Sequence, residues 1–308
     1  MSLKLFGCSF TNWIYPTWAD FIKLHYDVEV KIYGRPAIGN DVLKRLLFTK
    51  TTDMDHVIVM FTGNDRLDHG IDINFDRNRM PHHIENKHWG NSFAFRDQIF
   101  TQLNNSGLDF KKHFSLFHAL YKQTEVIVDL QNYAKANQIE YNFLAWQDLF
   151  CDLSYRRDYA GLGKQVDLSK YQKNPLFRQL FEMIDIDRFL DNPRIGLLNY
   201  VHKNSELFMY QNDWDFHPSC IAHFRYFQDF LKPCLDLKYR NLDNLNEIEE
   251  LSLNFSKYYK DTNCFDDPFN AKTDNEFTHD KFYSIRKNII DNFFETQKEK
   301  LKTGYHYE

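Results

Sequence analysis

The chain lacks any apolar run long enough to cross a bilayer, and its first residues enter a strand-like segment without a signal-peptide pattern. From these two absences we expect a protein made in the cytoplasm, with no membrane partner. Cysteine is scarce and poorly spaced for structural work. Cys8, Cys151, Cys220, Cys234 and Cys264 are scattered, odd in number and without paired spacing. That argues against a disulfide framework or a zinc site and fits free thiols in a reducing compartment. Excess positive charge is missing too. A net charge of −5, from 38 Lys and Arg against 43 Asp and Glu, argues against a dedicated nucleic-acid binder, which needs a basic face. Glycine and proline are sparse, at 11 and 8, and no internal repeat or low-complexity tract occurs.

What is present is an apolar share of 43% in 308 residues, enough for one large α/β domain or one domain with an appendage. Aromatic residues are abundant, with 29 Phe and 18 Tyr, a bias that says little about chemistry. The pattern predicts strands at Leu3–Gly7, around Val28, Val30 and Ile32, at Val57–Phe61 and at Ile139–Trp146, with a short candidate at Leu207–Tyr210. Helices are expected at Trp18–Leu24, at Val42–Leu47 with Asn40 or Asp41 as N-cap, and at Phe114–Lys135. A further helix is expected to open at His217-Pro218 and to end at Pro233. Strands alternating with helices imply a mostly parallel sheet covered on both faces, with its chemistry in loops at the carboxyl ends of the strands. The segments at about 66–112 and 152–205 read as loop insertions, the second partly helical. Residues 236–308 form a helical C-terminal extension with two amphipathic patterns, Leu245/Ile248/Leu251/Phe255 and Phe282/Ile285/Ile289/Phe293. It could pack on the core at residues 1–235, or serve as a homo-oligomer or assembly contact.

Four short segments carry the chemistry. In Phe6-Gly7-Cys8-Ser9-Phe10-Thr11 a serine stands in the first turn after a strand, where its hydroxyl can project from the sheet edge. Gly7 relieves crowding there, and the Ser9 amide could face an oxyanion at the mouth of a following helix. An ordinary turn with a capping serine would use the same residues. In Asp213-Trp214-Asp215-Phe216-His217-Pro218-Ser219 a histidine can supply the base that a serine hydroxyl needs. A neighbouring carboxylate, Asp215 or alternatively Asp213, can fix its tautomer. Gly39, just before a helix, and Asn64, just after a strand, could donate hydrogen bonds to the reacting oxygen, although turns select the same residues. His82, His83 and His88 with Glu85 lack the helical context of a metal site and read as a solvated loop, so no metal is expected. Trp18 reads as core. Trp13 could line a substrate cleft, since aromatic faces stack on sugar rings.

These segments, in this order, resemble the four blocks of the SGNH (GDSL-like) hydrolases across roughly residues 3–235. Gly7-Cys8-Ser9 resembles the first block, Gly39-Asn40 the second, Gly63-Asn64-Asp65 the third, and Asp215-Phe216-His217-Pro218 the last. The loop variation is similar to that of members from phages and marine microbes. The resemblance implies a flavodoxin-like three-layer α/β/α sandwich and a Ser-His-Asp acyl-enzyme mechanism with no cofactor. It assigns Ser9 as nucleophile, His217 as base, and the Ser9 amide, the Gly39 amide and the Asn64 side chain as oxyanion donors. The substrate class it implies is a short O-acyl ester, O-acetyl above all, on a small molecule or glycan. Three departures stand out. Cys8 replaces the usual Asp, Thr62 stands where the third block usually has Gly, and Trp214 stands where the family places the Asp before the His. The rival expectation is a non-catalytic structural or glycan-binding component that keeps the fold within a larger assembly such as a virion.

Overall fold

A computed structural model describes residues 2–13, 15–34, 38–64, 67–71, 90–94, 115–152, 161–204, 206–207, 217–235 and 245–262. Two apolar segments, β1 (Ser2–Gly7) and β3 (His56–Phe61), are buried along their whole length. Burial on both faces is what a central strand of a parallel sheet requires. By contrast β2 (Glu29–Gly34) alternates exposed and half-buried positions, as an edge strand can. With β6 (Glu140–Ala145) on the far side, they form a parallel sheet in the order β2-β1-β3-β6. Leu5 pairs with Ile32 on one side and Ile58 on the other, and Val59 pairs with Phe143.

The strand order decides where the helices lie. From β1 the chain crosses outward through α1 (Trp18–His25) to β2, then returns through α2 (Asn40–Lys50) to β3. Right-handed crossovers in opposite directions put α1 and α2 on opposite faces. The step from β3 to β6 continues in the second direction, so α3 (Leu116–Ala136) joins α2, and Lys44 of α2 reaches Asp129 of α3 at 2.9 Å. On the α1 face lies α6 (Cys220–Tyr226), with the Phe21 and Phe224 rings 5.1 Å apart. The result is a three-layer α/β/α arrangement. Its direction of crossing switches between β1 and β3, and at such a point the loops leaving the carboxyl ends of the two strands diverge and leave a crevice.

Several expectations need correction. Gly39, rather than Asn40 or Asp41, is the N-cap of α2, because the Asn40 side chain is drawn across to β3. The loop expected at about 66–112 contains an antiparallel pair, β4 (Leu67–Ile71) and β5 (Gly90–Ala94). Leu207 lies in a bend rather than a strand, and 208–210 fall outside the described residues. The helix ends one residue past Pro233, close to the expected stop, but it does not run there as a regular α-helix. The helix of α6 widens to a π turn over Phe227–Leu231 and runs on through Lys232–Cys234. A wider turn at that place accommodates the missing N–H and the ring of a proline, which break a regular α ladder. The insertion at 152–205 is partly helical as expected, with α4 (Pro175–Glu182) and α5 (Leu197–Lys203).

The first amphipathic pattern of the extension forms α7 (Leu245–Thr262), which packs against α6. Its deepest positions are Ile248, Ser252 and Ser256, so the buried stripe is rotated from the Leu245/Ile248/Leu251/Phe255 reading. The second pattern, Phe282/Ile285/Ile289/Phe293, lies outside the described residues, as do His82, His83, Glu85 and His88.

Candidate active site

The turn after β1 is built by close approach. Thr11 and Asn12 both donate backbone N–H bonds to the Cys8 carbonyl, at 2.9 and 3.2 Å. This folds the chain back so tightly that a Cβ on Gly7 would stand 2.0 Å from Thr11 Oγ1. Asn12 Nδ2 then donates to the Gly34 carbonyl at 2.8 Å, and a Cβ on Gly34 would stand 2.4 Å from Asn12 Cβ. The two glycines therefore let the turn lie flat on the end of β2. No helix starts at the turn. The chain runs on to Thr17, whose hydroxyl donates to the Thr11 carbonyl at 2.8 Å, and α1 begins only at Trp18. The Ser9 turn is therefore not the mouth of a helix.

Within this turn Cys8 is fully buried in the core, and Ser9 retains only 4% exposure. Thr11 Oγ1 is buried without a partner among the described residues.

His217 reaches the same turn from the far end of the fold. Its ring stacks on Trp13, with centroids 3.8 Å apart and planes at 25°, and lies 5.1 Å from Phe10. Phe10 in turn packs 5.3 Å from Trp146, just beyond β6. Ser9 thus sits in a turn whose aromatic residues hold the imidazole. Trp13 is 4% exposed and supports the His217 ring. The backbone beside the histidine is also fixed. Tyr15 donates its hydroxyl to the Pro218 carbonyl at 3.1 Å, and the Ser219 hydroxyl caps α6 by accepting from the Ala222 amide at 3.3 Å. A serine N-cap of this kind is worth about 1 kcal/mol. One turn into α6, His223 is fully buried, with neither ring nitrogen bonded to a described residue. Burial, and secondarily the nearby His217, push His223 down to about 3. At the other end of α6 the Tyr226 hydroxyl donates to Asp191, whose carboxyl burial pushes well up.

The second and third segments meet through one side chain. Asn40 Nδ2 donates to the Thr62 carbonyl at 3.0 Å, and Asn40 Oδ1 accepts from the Thr62 amide at 2.9 Å. The same amide nitrogen reaches Gln123 Oε1 of α3 at 2.7 Å. This clasp fixes the start of α2, next to Gly39, against the end of β3. Asn64 follows β3 as expected, but its amide donates to the Cys151 carbonyl at 3.0 Å and lies 3.5 Å from that of Leu149. In this arrangement Asn64 ties the β3 loop to the β6 loop.

Of the predicted site residues, Ser9, Gly39, Asn64 and His217 all lie in loops at the carboxyl end of the sheet. His217 is brought to the Ser9 turn. Asp213 and Asp215 lie outside the described residues. Sequence reasoning gave no role to Phe10, Tyr15 or Ser256, and it named Asn40 only as a cap and a partner of Gly39 in the second block. Small residues at 252 and 256, inside an otherwise apolar stripe, were the available signal for Ser256. Among the described residues, no group of three or more His, Cys, Asp or Glu could hold a metal ion, and no helix is long and apolar enough to cross a membrane. Compared with known proteins, the chain matches no family model and no curated sequence.

Proposed function

We propose that the protein is a serine esterase of the SGNH type, acting on short O-acyl esters, O-acetyl groups on carbohydrate being the preferred class. The observation that carries this reading is the stack of His217 on Trp13, in the segment that follows Ser9. It links the two segments that resemble the family's nucleophile and base blocks, near the carboxyl ends of β1 and β3 where ligands of such sheets bind.

The chemistry follows in two steps. Ser9 Oγ attacks the ester carbonyl carbon while His217 takes the hydroxyl proton. The negative charge gathers on the former carbonyl oxygen, where the backbone amides of Ser9 and Gly39 are the proposed donors. Collapse breaks the bond to the leaving alkoxide, which receives the proton from the imidazolium and departs as an alcohol. Water then attacks the acyl-enzyme, His217 takes its proton, and the proton returns to Ser9 as the carboxylic acid leaves. An aspartate from 213–215 would orient the imidazole. A bound acyl acceptor in place of water would make the same site an acyltransferase. Synthesis in the cytoplasm, with or without later incorporation into a virion, belongs to this proposal.

One observation favours the rival reading of a non-catalytic component. Ser9 is nearly buried and the Asn64 amide is engaged with main-chain carbonyls. Hydrolysis of a chromogenic acetyl ester, followed by acetate release from acetylated xylan, separates the two. The esterase reading expects turnover by the native chain and a loss of about 1,000-fold in Ser9→Ala and in His217→Asn. Equal rates in all three would discard it.

A further inference from the structure

The helix α7 sits in what the sequence presents as an extension, yet it reaches the segment that carries His217. Its Ser256 is completely buried. The Ser256 hydroxyl accepts a hydrogen bond from the Ile221 amide at 3.0 Å and donates one to the Ser252 carbonyl at 2.7 Å. Ile221 is the second residue of α6, so this amide is one of the donors that a helix cannot satisfy within itself. The next amide, Ala222, is taken by Ser219. Two serine hydroxyls, one local and one from α7, thus close the first turn of α6. A second route runs through rings. Phe255 of α7 lies 6.5 Å from Tyr15, and Tyr15 holds the Pro218 carbonyl next to His217.

The residue types fit this role. Ser252 and Ser256 stand four apart on the deepest line of α7, where an amphipathic stripe would ordinarily carry Leu or Ile. Small side chains let the two helices approach closely enough for a hydroxyl to reach a backbone amide. A leucine at 256 would fill the gap and leave the Ile221 amide buried without a partner, a cost far above that of an exposed amide.

We infer that Ser256 is a positioning residue for the proposed base: by binding the Ile221 amide it fixes the start of α6, and with it the placement of His217 on Trp13, in the segment that follows Ser9. The inference rests on the serine-hydrolase reading for its catalytic meaning, although the placement itself can be read without catalysis. His217 lies in the ring-current field of Trp13, so its ring protons report directly on the stack. Displacement by a fraction of an ångström is enough to weaken proton transfer from Ser9.

The test uses the full chain with isotope-labelled histidine. The native protein, Ser256→Ala and Ile248→Val are compared by the NMR signals of the His217 ring and by the rate of Ser9 modification with a fluorophosphonate. Ile248 is a packing residue of the same helix, 1% exposed, and serves as the control for lost stability alone. Ser256→Ala should move and broaden the His217 signals and slow the modification by about tenfold or more. Ile248→Val should lower the melting temperature and leave both readouts at native values. Should Ser256→Ala fail to fold, the near-isosteric Ser256→Cys, a poor acceptor, takes its place. His217 signals that stay at native positions in the Ser256 variant, or that move equally in both variants, overturn the inference. A native chain that takes no label, while its His217 signals still respond only to Ser256, supports the positioning role and discards the esterase reading instead.

Discussion

At the amino end of the sheet, the Lys4 ammonium donates to the Lys50 carbonyl and the Asp55 carboxylate, while Ser2 at 2.7 Å and Thr52 donate to the same carboxylate. At the carboxyl end, Thr11 Oγ1 and Gln147 Nε2 are buried without a partner among the described residues. Both ends are buried and both are polar. Among the described residues, one is closed by its own hydrogen bonds and the other holds buried polar atoms without a described partner. Burying a polar group without a hydrogen bond costs roughly 1–3 kcal/mol, so the bonded groups at the amino end avoid that cost. The closed end serves stability.

The largest effects should divide along that line. Asp55→Ala removes one partner of a buried pair and strands the Lys4 charge, which should cost about 3–5 kcal/mol in denaturant unfolding. The rate of Ser9 modification, measured below the new melting temperature, should stay at the native value. Ser9→Ala should do the reverse, abolishing modification while changing stability by less than about 1 kcal/mol, the scale of one small hydroxyl. A destabilised Ser9→Ala, or a catalytically impaired Asp55→Ala, would erase the distinction between the ends.

Next in size is Gly7→Ala, at the point where β1 feeds the site. The added Cβ would meet Thr11 Oγ1 at 2.0 Å and Thr11 Cβ at 2.8 Å, so the turn must shift. Labelling should fall about 100-fold, against a stability loss of roughly 1–3 kcal/mol. A native labelling rate would show that the turn tolerates displacement and that its close packing is incidental.

The smallest effect is a difference in acid sensitivity. Burial holds His223 near 3, well below 6.5, so between those values the unfolded chain binds a proton that the folded chain does not. Stability is therefore lost as pH falls through that window, at about 1.4 kcal/mol per unit. Asp55 titrates lower. Burial opposes its ionisation, but the bonds from Lys4, Ser2 and Thr52 prevail and hold it at about 2, against 3.8 unfolded. Its contribution is complete above 3.8 and fades as pH drops through 2. His25, lowered to about 4 by burial and by Lys232, titrates over a window overlapping that of His223. The informative quantity is thus native minus His223→Phe. That difference should grow between pH 6 and 4 and leave the Asp55 window unchanged. A flat difference would mean that His223 meets water or a partner in the folded protein.

Much of the fold was legible because burial on both faces writes itself as continuous apolar runs, as in Val57–Phe61. β4 and β5 were not, because Leu67–Ile71 and Gly90–Ala94 are rich in Asp, Asn, Ser and Gly, which carry little strand signal. The π turn of α6 before Pro233 was hidden for a similar reason. A local rule reads proline as a stop and cannot see a π turn that absorbs it. At the site, motif order located Ser9 and His217 at the correct end of the sheet. It could not show that Trp13 supports the imidazole, or that Asn64 bonds to Cys151, because both depend on contacts between distant segments. Ser256 was the least visible of all, since a serine on a helix reads as solvent-facing until its neighbour is known.

The most direct measurement is the intact mass of the protein after exposure to a fluorophosphonate, with Ser9→Ala and His217→Ala treated alongside. We expect a single adduct on the native chain, none on Ser9→Ala and strongly slowed labelling of His217→Ala. An unlabelled native chain, or an adduct that persists in Ser9→Ala, would contradict an activated serine at the carboxyl end of the sheet.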